Sequence, residues 1–433
     1  MTGAWDRIQT VLLALAVAVA VGLAALVFAS VPGIPRQRSP SPQEASPAPK
    51  PRPVALEPWS LGWQGTRRDT VLYPEQKAFG AAWSRLVPVL GRVDDFSATS
   101  RQRFLAAVAG GVLWISPPPQ LDAALFTGEG MAHTAGSAPF YRLAITRERS
   151  TRLWALDSMG GVFVAPLAVA PATWSAVEAG MRAGLPAVAL PAAVDGLKVP
   201  VPVLVPTQPV RVPSGLITLA VSPSRLKAGV FRDPLAVRSL LEADGSLIYT
   251  DGQSGVRVDA AGRIHYDAPV PVYQGGERLS SLLSTAASIL AAVWTRGRPS
   301  LVGLNVSALG TSPETSAADV LVRLMPLLAG TPVAAVRGEA SAILSNGGLV
   351  SLAAPMLDPE PIGTAAVPQY GTALTQVGQK AAGAQLIGMW PAVAPQGGQL
   401  DPGWVVGLGD GRLLFADSKS AWSLGVRSST GSG

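Results

Sequence analysis

The longest apolar stretch of the chain runs without a charge from Val11 to Val31. A helix over these residues would reach about 31 Å, which is enough to cross the hydrocarbon core of a bilayer. A secretory signal peptide cleaved after Val27-Phe28-Ala29 is the alternative, but its apolar core would be longer than signal peptides usually have. The pattern favours an uncleaved transmembrane helix over residues 11–31, behind a short cytoplasmic tail of residues 1–10.

Small side chains line one face of this predicted helix. They are Ala14, Ala18, Gly22, Ala25 and Ala29. Such a face lets a second helix approach closely, so it predicts contact with a partner helix in the membrane. Ala16, Ala20 and Ala24 form a second stripe of the same kind, so abundant alanine alone also produces the pattern.

Residues 32–57 are rich in Pro, Ser and Ala and predict a stiff, extended tether. Such linkers are typical between a membrane and an external domain. Basic residues follow the apolar stretch more than they precede it, but long domains cross membranes largely regardless of flanking charge. We therefore predict a single-pass protein of the cell membrane with the bulk of its chain extracytoplasmic.

Helical and strand-like patterns fall into separate runs between residues 58 and 205. Apolar positions with helical spacing occur in 75–93, 100–109 and 172–183. Short apolar runs typical of strands occur at 111–116, 141–146, 152–156 and 161–165. Separate runs of helix and strand are typical of the α+β class, so we predict an N-terminal α+β domain over 58–205.

Strand-like runs recur later in the chain about 85 residues apart. They are LITLAVS at 216–222, LVGLNVS at 301–307 and LIGMWPA at 386–392. Two predicted hairpins, at 256–269 and 342–355, keep nearly this spacing. The first precedes a predicted helix at 278–294, and the second precedes one at 370–382.

The similar spacing of the strand-like runs and of the hairpins predicts an internal duplication. We expect a middle α+β domain at 206–300 and a C-terminal α+β domain at 301–425 that share one topology of antiparallel sheet plus helices. A last hairpin turning at Gly409-Asp410-Gly411 would end this part, followed by a frayed tail at 426–433.

The chain is basic, with a formal charge of +6 and an isoelectric point near 9.8. Its Lys and Arg residues are scattered rather than clustered, so we predict no nucleic-acid partner. Anionic lipid or cell-wall polymer is the more plausible partner for a basic domain tethered to a membrane.

The usual catalytic constellations are missing from the sequence. It has no cysteine and two histidines, His133 and His265, and shows no zinc-binding spacing and no nucleophile elbow. We therefore predict no catalytic residues, no metal site and no cofactor, and a protein that is not an enzyme. Eleven tryptophans leave room for a glycan-binding groove, although most lie in apolar runs where core packing explains them.

The segment VFRDPLAVRSLLEADGSLIYTDGQSGVRVDAAGRIHYDAP at 230–269 resembles the YycH family. Its motif residues are Phe231, Asp233, Pro234, Val237, Arg238, Tyr249, Thr250, Asp251, Gly252, Tyr266 and Pro269. Looser similarities keep the family's order along the chain: 113–119 resembles its strand ending in prolines, 330–333 its Gly-x-Pro-Val and 400–404 its L-x-P-x-W.

The resemblance implies three extracytoplasmic domains behind one transmembrane helix, with the last two related. It also implies function without catalysis. Members of the family associate with a related protein, YycI, and with the sensor histidine kinase of the WalK/WalR (YycG/YycF) two-component system, partly through membrane helices.

From this resemblance we expect a membrane-anchored accessory regulator of a cell-wall-responsive sensor histidine kinase. A WalK-type kinase and a YycI-like protein would be its partners. The alternative is a membrane-tethered binding module for cell-wall polymer or glycan.

Overall fold

The computed structural model of the chain describes residues 53–93, 95–118, 120–128, 138–147, 150–157, 159–218, 221–268, 279–306, 320–334, 339–345 and 348–424. The predicted transmembrane helix with its small-residue face, the cytoplasmic tail, residues 32–52 of the tether, the C-terminal tail and Pro269 lie outside these residues. Within them, no helix has both the length and the apolar character needed to span a membrane.

Six α-helices lie among the described residues, together with a short 3-10 helix at Ala123–Phe126. They are α1 (Lys77–Leu90), α2 (Arg101–Val108), α3 (Pro171–Arg182), α4 (Pro223–Val230), α5 (Leu279–Val293) and α6 (Tyr370–Lys380). All five helices predicted between residues 58 and 425 are confirmed. Ser100 begins α2 by accepting the backbone N–H of Arg103 at 3.3 Å, which satisfies one of the donors that a helix start leaves free.

An N-terminal sheet of nine antiparallel strands follows the order β11-β8-β2-β1-β4-β5-β6-β7-β3. Its strands are β1 (Ser60–Gln64), β2 (Asp69–Leu72), β3 (Ser97–Thr99), β4 (Val112–Ser116), β5 (Phe140–Arg147), β6 (Thr151–Asp157), β7 (Val162–Pro166), β8 (Leu185–Ala189) and β11 (Leu204–Pro206). Two short strands, β9 (Ala193–Val194) and β10 (Leu197–Lys198), form a separate hairpin between β8 and β11.

Both faces of the N-terminal sheet are covered, which explains why its central strands read as continuous apolar runs. In β4, Leu113 and Ile115 belong to the main core, while Val112 and Trp114 belong to a second core on the opposite face. Neighbouring side chains of a strand point to opposite faces, so a strand buried on both sides needs apolar residues at every position. Helices α1 and α3 pack against each other, and α2 adds Phe104 to the second core.

A central sheet combines two distant parts of the chain in the order β13-β14-β15-β16-β21-β20-β18-β17, with β19 attached to β18. Its strands are β13 (Arg238–Leu241), β14 (Leu247–Thr250), β15 (Gly255–Val258), β16 (Arg263–Asp267), β17 (Arg298–Val306), β18 (Val320–Leu328), β19 (Thr331–Pro332), β20 (Ala340–Ser345) and β21 (Gly348–Pro355).

A C-terminal sheet of six strands follows the order β22-β12-β24-β25-β26, and β23 also pairs with β24. Its strands are β12 (Arg211–Thr218), β22 (Asp358–Ala366), β23 (Leu386–Gln396), β24 (Gln399–Leu408), β25 (Leu413–Ala416) and β26 (Ala421–Leu424). The predicted last hairpin is confirmed, because β24 and β25 flank the turn at residues 409–411.

The sheets divide the chain differently from the predicted domains 206–300 and 301–425. The boundary at 300 falls inside β17, β12 pairs with β22 and β24 of the later part, and β16 pairs with β21. The two hairpins that the sequence spacing relates are thus neighbours in one sheet instead of the centres of two domains. Spacing aligns similar elements along the chain, but it carries no information about which strand edges pair.

The end of the predicted tether packs on the edge of the central sheet. Ala55 is fully buried, its N–H donates to Pro299 O at 2.7 Å, and its carbonyl accepts the N–H of Leu301 at 3.0 Å. Residues 53–57 therefore belong to the folded part, because they cover backbone groups of β17 that would otherwise face water.

A buried arginine joins the N-terminal and C-terminal sheets. Arg142 on β5 is 2% exposed, and its guanidinium donates to Pro202 O at 2.7 Å and to Ile387 O on β23. It also lies 6.0 Å from the ring centroid of Trp114. Burial lowers the pKa of Arg142 to about 10, so the group remains charged at neutral pH.

We expect Arg142→Ala to lower the free energy of unfolding by about 3 kcal/mol. The substitution leaves two buried carbonyl groups without donors and opens a cavity between the sheets. Urea unfolding measures the change, and Arg147→Ala on the exposed end of the same strand serves as control with an expected effect below about 0.5 kcal/mol. Equal stability of the two variants would show that Arg142 does not hold the sheets together.

Two glycines of α6 differ in their surroundings and give a matched pair. A Cβ added at Gly378 would lie 1.9 Å from Asp195 O in the turn between β9 and β10, whereas a Cβ at Gly371 meets nothing within 4 Å. The helix therefore approaches that turn as closely as a bare backbone allows.

We expect Gly378→Ala to destabilise the protein by more than about 2 kcal/mol, because the backbone of residue 195 must shift. Gly371→Ala should raise stability by about 0.5 kcal/mol through helix propensity alone. Thermal unfolding of both variants compares the two effects, and a Gly378→Ala protein as stable as the wild type would contradict the close packing.

Candidate functional site

A cavity of about 530 Å³ lies where the three sheets meet. Residues of β5, β17, β18 and β23, of the turn before β25, and of the segment before the 3-10 helix line it. They are Gln120, Leu121, Asp122, Pro139, Phe140, Tyr141, Gly303, Leu304, Leu321, Arg323, Gln385, Ile387, Leu408, Gly409, Asp410 and Gly411. Its size suits a small molecule or one inserted side-chain cluster of a partner.

Gln120 connects two walls of this cavity. Its Nε2 donates to Gly411 O at 2.8 Å, and its Oε1 accepts from Nη1 of Arg323 at 2.7 Å. Asp410 forms an ion pair with Arg412 at 2.7 Å. Hydrogen bonds and an ion pair therefore hold several polar groups around the cavity in place, and the cavity is a preformed site lined by both polar and apolar groups.

Glu339 is a buried acid close to Arg323, which lines the cavity. It is 8% exposed, and its Oε1 has no hydrogen-bond partner among the described residues. Burial raises the pKa of Glu339 to about 7, and the nearby charge of Arg323 opposes the rise. The carboxyl therefore changes its charge within the neutral pH range.

The segment 230–269 forms the outer half of the central sheet. Its apolar motif residues meet in the main core: Phe231, Val237, Tyr249 and Tyr266 are all buried. Lys227 on α4 lies 5.2 Å from the ring centroid of Tyr249, in the geometry of a cation–π contact. These residues therefore fasten α4 to the four-stranded meander β13–β16.

The polar motif residues shape its turns. The Oδ1 atom of Asp251 accepts the N–H groups of Gln253 and Ser254, each at 2.9 Å, and these bonds hold the pKa of its carboxyl below the usual range. Thr250 Oγ1 accepts from Gly252 N at 3.0 Å and donates to Ser254 O at 2.8 Å.

The remaining polar motif residues lie at the entrance to the meander. Asp233 accepts the N–H of Leu235 at 3.1 Å in the turn that contains Pro234, and Arg238 is the exposed first residue of β13. The motif therefore builds the fold of this segment instead of forming one polar site.

An exposed apolar edge results from this arrangement and was not predicted from the sequence. Strand β13 is the last strand on its side of the central sheet, and all four of its residues are exposed. Leu240 is 62% exposed, Leu241 70% and the preceding Leu235 93%. Adjacent leucines in a strand point to opposite faces, so both sides of this edge are open to a partner.

The remaining candidates from the sequence are the two histidines and the tryptophans. His265 lies on β16 with its Nε2 3.7 Å from Asp259 Oδ2, and His133 lies outside the described residues. No group of three or more His, Cys, Asp or Glu side chains with metal-binding geometry occurs within the described part of the chain. Most tryptophans are buried in the cores as predicted, and Trp63 and Trp422 are half-buried exceptions.

The pKa of Glu339 leads to a pH-dependent stability. The folded-state pKa of about 7 lies above the ordinary value of 4.5, so the folded protein holds this proton more tightly than the unfolded chain. Between those pH values the free energy of unfolding should fall as the pH rises, by up to about 3 kcal/mol, and should level off above them.

Glu339→Gln should make this slope shallower by removing the contribution of Glu339, since glutamine stays neutral at every pH. Burial also raises the pKa of Glu75 to about 7, so Glu75 contributes the slope that remains. Urea unfolding between about pH 4 and pH 8 compares the variant with the wild type, with Glu360→Gln on the exposed face of β22 as control. Parallel curves for wild type and Glu339→Gln would contradict the assignment.

Comparison with known proteins identifies the fold. No sequence model of a known protein family matches the chain, and no curated protein sequence matches it significantly. Its structure is similar to the crystal structure of YycH from Bacillus subtilis, with a TM-score of 0.56 and 12% sequence identity, over 83% of this chain and 96% of that chain.

An uncharacterized protein from Eubacterium rectale matches with a TM-score of 0.33 at 9% identity, covering 55% of this chain and 88% of that chain, which supports no conclusion. The resemblance predicted from the 230–269 segment is therefore confirmed at the level of the fold: the chain is folded like YycH.

Proposed function

We propose that this protein is a membrane-anchored, non-catalytic accessory regulator of a cell-wall-responsive sensor histidine kinase. The observation that carries the proposal is the similarity to YycH, which covers 96% of that chain. The resemblance of the segment 230–269 to the YycH family adds support. A WalK-type kinase and a YycI-like protein are the proposed partners.

Two contact surfaces would serve this function. The first is the small-residue face Ala14, Ala18, Gly22, Ala25 and Ala29 of the predicted membrane helix, which would pack against a helix of the kinase. The second is the exposed edge strand β13, to which the extracytoplasmic part of the kinase can add a strand. A regulator acts by contacting one of two kinase states better than the other, and thereby shifts their populations.

The membrane helix would hold the regulator beside the kinase, and binding through the tethered domain then becomes effectively intramolecular. A weak contact at β13 would therefore suffice, because the anchor raises the local concentration of the partner.

We expect a photoreactive residue at Leu240 in the full-length protein to crosslink to a sensor histidine kinase in cells. Leu15 in the predicted membrane helix tests the second surface in the same experiment. Met159, which is 84% exposed in the turn between β6 and β7, is the matched control for exposure. Mass spectrometry identifies the captured proteins.

A histidine kinase captured at Leu240 or Leu15 but not at Met159 supports the proposal and shows which surface is used. The proposal would be overturned if the protein is folded in the membrane and no kinase is captured from Leu240, Leu15 or Met159. Retention of purified cell-wall polymer by such a protein would favour the binding-module alternative.

A further inference from the structure

A second concave site lies on the N-terminal sheet, away from the cavity between the sheets and from β13. It encloses about 740 Å³, and its charged or aromatic lining side chains are Trp63, Arg67, Arg68, Arg147, Trp174, Glu178 and Arg182. We call this site the arginine groove. The end of β1, the loop between β1 and β2, the end of β5 and the helix α3 bring these residues together.

The arginine groove has a strong excess of positive charge. Of its four arginines, Arg182 pairs with Glu178 at 2.7 Å, and Glu178 is the acidic residue in the lining. Arg67, Arg68 and Arg147 are exposed and form no ion pair with any residue that the structure describes. Like charges held close together repel one another, and a bound anion relieves that repulsion.

The floor of the groove is aromatic. Trp63 packs against the buried Trp174 with ring centroids 6.1 Å apart and an angle of 57° between the planes. A Cβ added at Gly65 would lie 2.5 Å from Nε1 of Trp63. The loop can pass this close to the indole because residue 65 has no side chain. Within the described residues, this indole N–H has no hydrogen-bond acceptor, so it is available to a ligand oxygen.

Arginine and indole together select a particular ligand chemistry. Phosphate presents several oxygens and up to two charges, and the planar guanidinium group binds it through two parallel hydrogen bonds. Indole rings pack against flat apolar surfaces such as the faces of sugar rings while their N–H donates to an oxygen.

We propose that the arginine groove binds a phosphate-bearing saccharide or headgroup. The phosphate lies among Arg67, Arg68 and Arg147, and the adjoining ring or polyol packs on Trp63. The groove gives the protein a binding function that is separate from its contacts with a kinase.

Calorimetric titration of the full-length chain in an uncharged detergent tests the proposal with three probes. The probes are glucose 1-phosphate, glycerophosphoglycerol as the soluble headgroup of phosphatidylglycerol, and inorganic phosphate. Glucose is the uncharged control ligand. The double variant Arg67→Gln, Arg68→Gln should lose about tenfold in affinity or more for the bound phosphate ligand.

Two further variants sharpen the result. Arg85→Gln, Arg92→Gln removes the same charge from exposed positions outside the groove, and its affinity should stay within about twofold of the wild type. Trp63→Ala should weaken the binding of glucose 1-phosphate or glycerophosphoglycerol but not the binding of inorganic phosphate. A general loss of structure would not produce this difference.

Stronger binding of glucose 1-phosphate assigns the groove to a soluble or polymeric sugar phosphate, and stronger binding of glycerophosphoglycerol assigns it to a lipid headgroup. The proposal is overturned if no phosphate probe binds, or if the Arg85, Arg92 variant loses as much affinity as the Arg67, Arg68 variant. Equal affinity of Trp63→Ala and wild type for all probes would remove the ring contact from the proposal.

Discussion

One buried cation, Arg142, links the N-terminal sheet to the C-terminal sheet. Among the residues that the structure describes, no carboxylate compensates its charge. The carbonyl oxygens of Pro202 and Ile387 and the ring of Trp114 take the place of water, while its Nε has no acceptor among them. Burying a charge in this way is costly unless its donors are satisfied by groups in fixed positions. Because one acceptor belongs to the N-terminal part and the other to β23, the guanidinium satisfies both only when the two sheets are docked. Ile387 also lines the cavity between the sheets, so the shape of that cavity follows from the same contact.

The central sheet shows how a motif can support function without forming an active centre. Phe231, Val237, Tyr249 and Tyr266 of the motif are buried, and Asp233, Thr250 and Asp251 close turns, so these residues have structural tasks. As a result of this arrangement, Leu240 and Leu241 on the edge strand β13 are exposed to solvent. Natural sheets usually protect such edges with charges, prolines or covering loops, because unpaired edges invite other strands. The other end of the same sheet is protected in this way, since residues 53–57 cover β17.

Three surfaces of different chemistry therefore lie on one folded unit. The edge strand β13 exposes two leucines and offers backbone hydrogen bonds, the cavity is lined by both polar and apolar groups, and the arginine groove is cationic with an aromatic floor. Protein partners suit the first surface, and an anionic ligand suits the third. The scattered basic residues of the sequence thus become locally concentrated in the fold, since Arg67, Arg147 and Arg182 are distant along the chain and adjacent in the groove.

The sequence by itself determined the local elements, because their apolar periodicity reflects which side faces a core. Five helices, the strands β4 to β7 of the N-terminal sheet and the last hairpin agree with their patterns, and the 230–269 segment identified the fold. Only the tertiary structure decided which strands pair, since β16 joins β21 and β12 joins β22 across boundaries that the repeat spacing suggested. The cavity, the exposed edge and the arginine groove could not be predicted from the sequence either. Each consists of residues brought together from separate elements, and local patterning records whether a residue is buried but not which distant residue it meets.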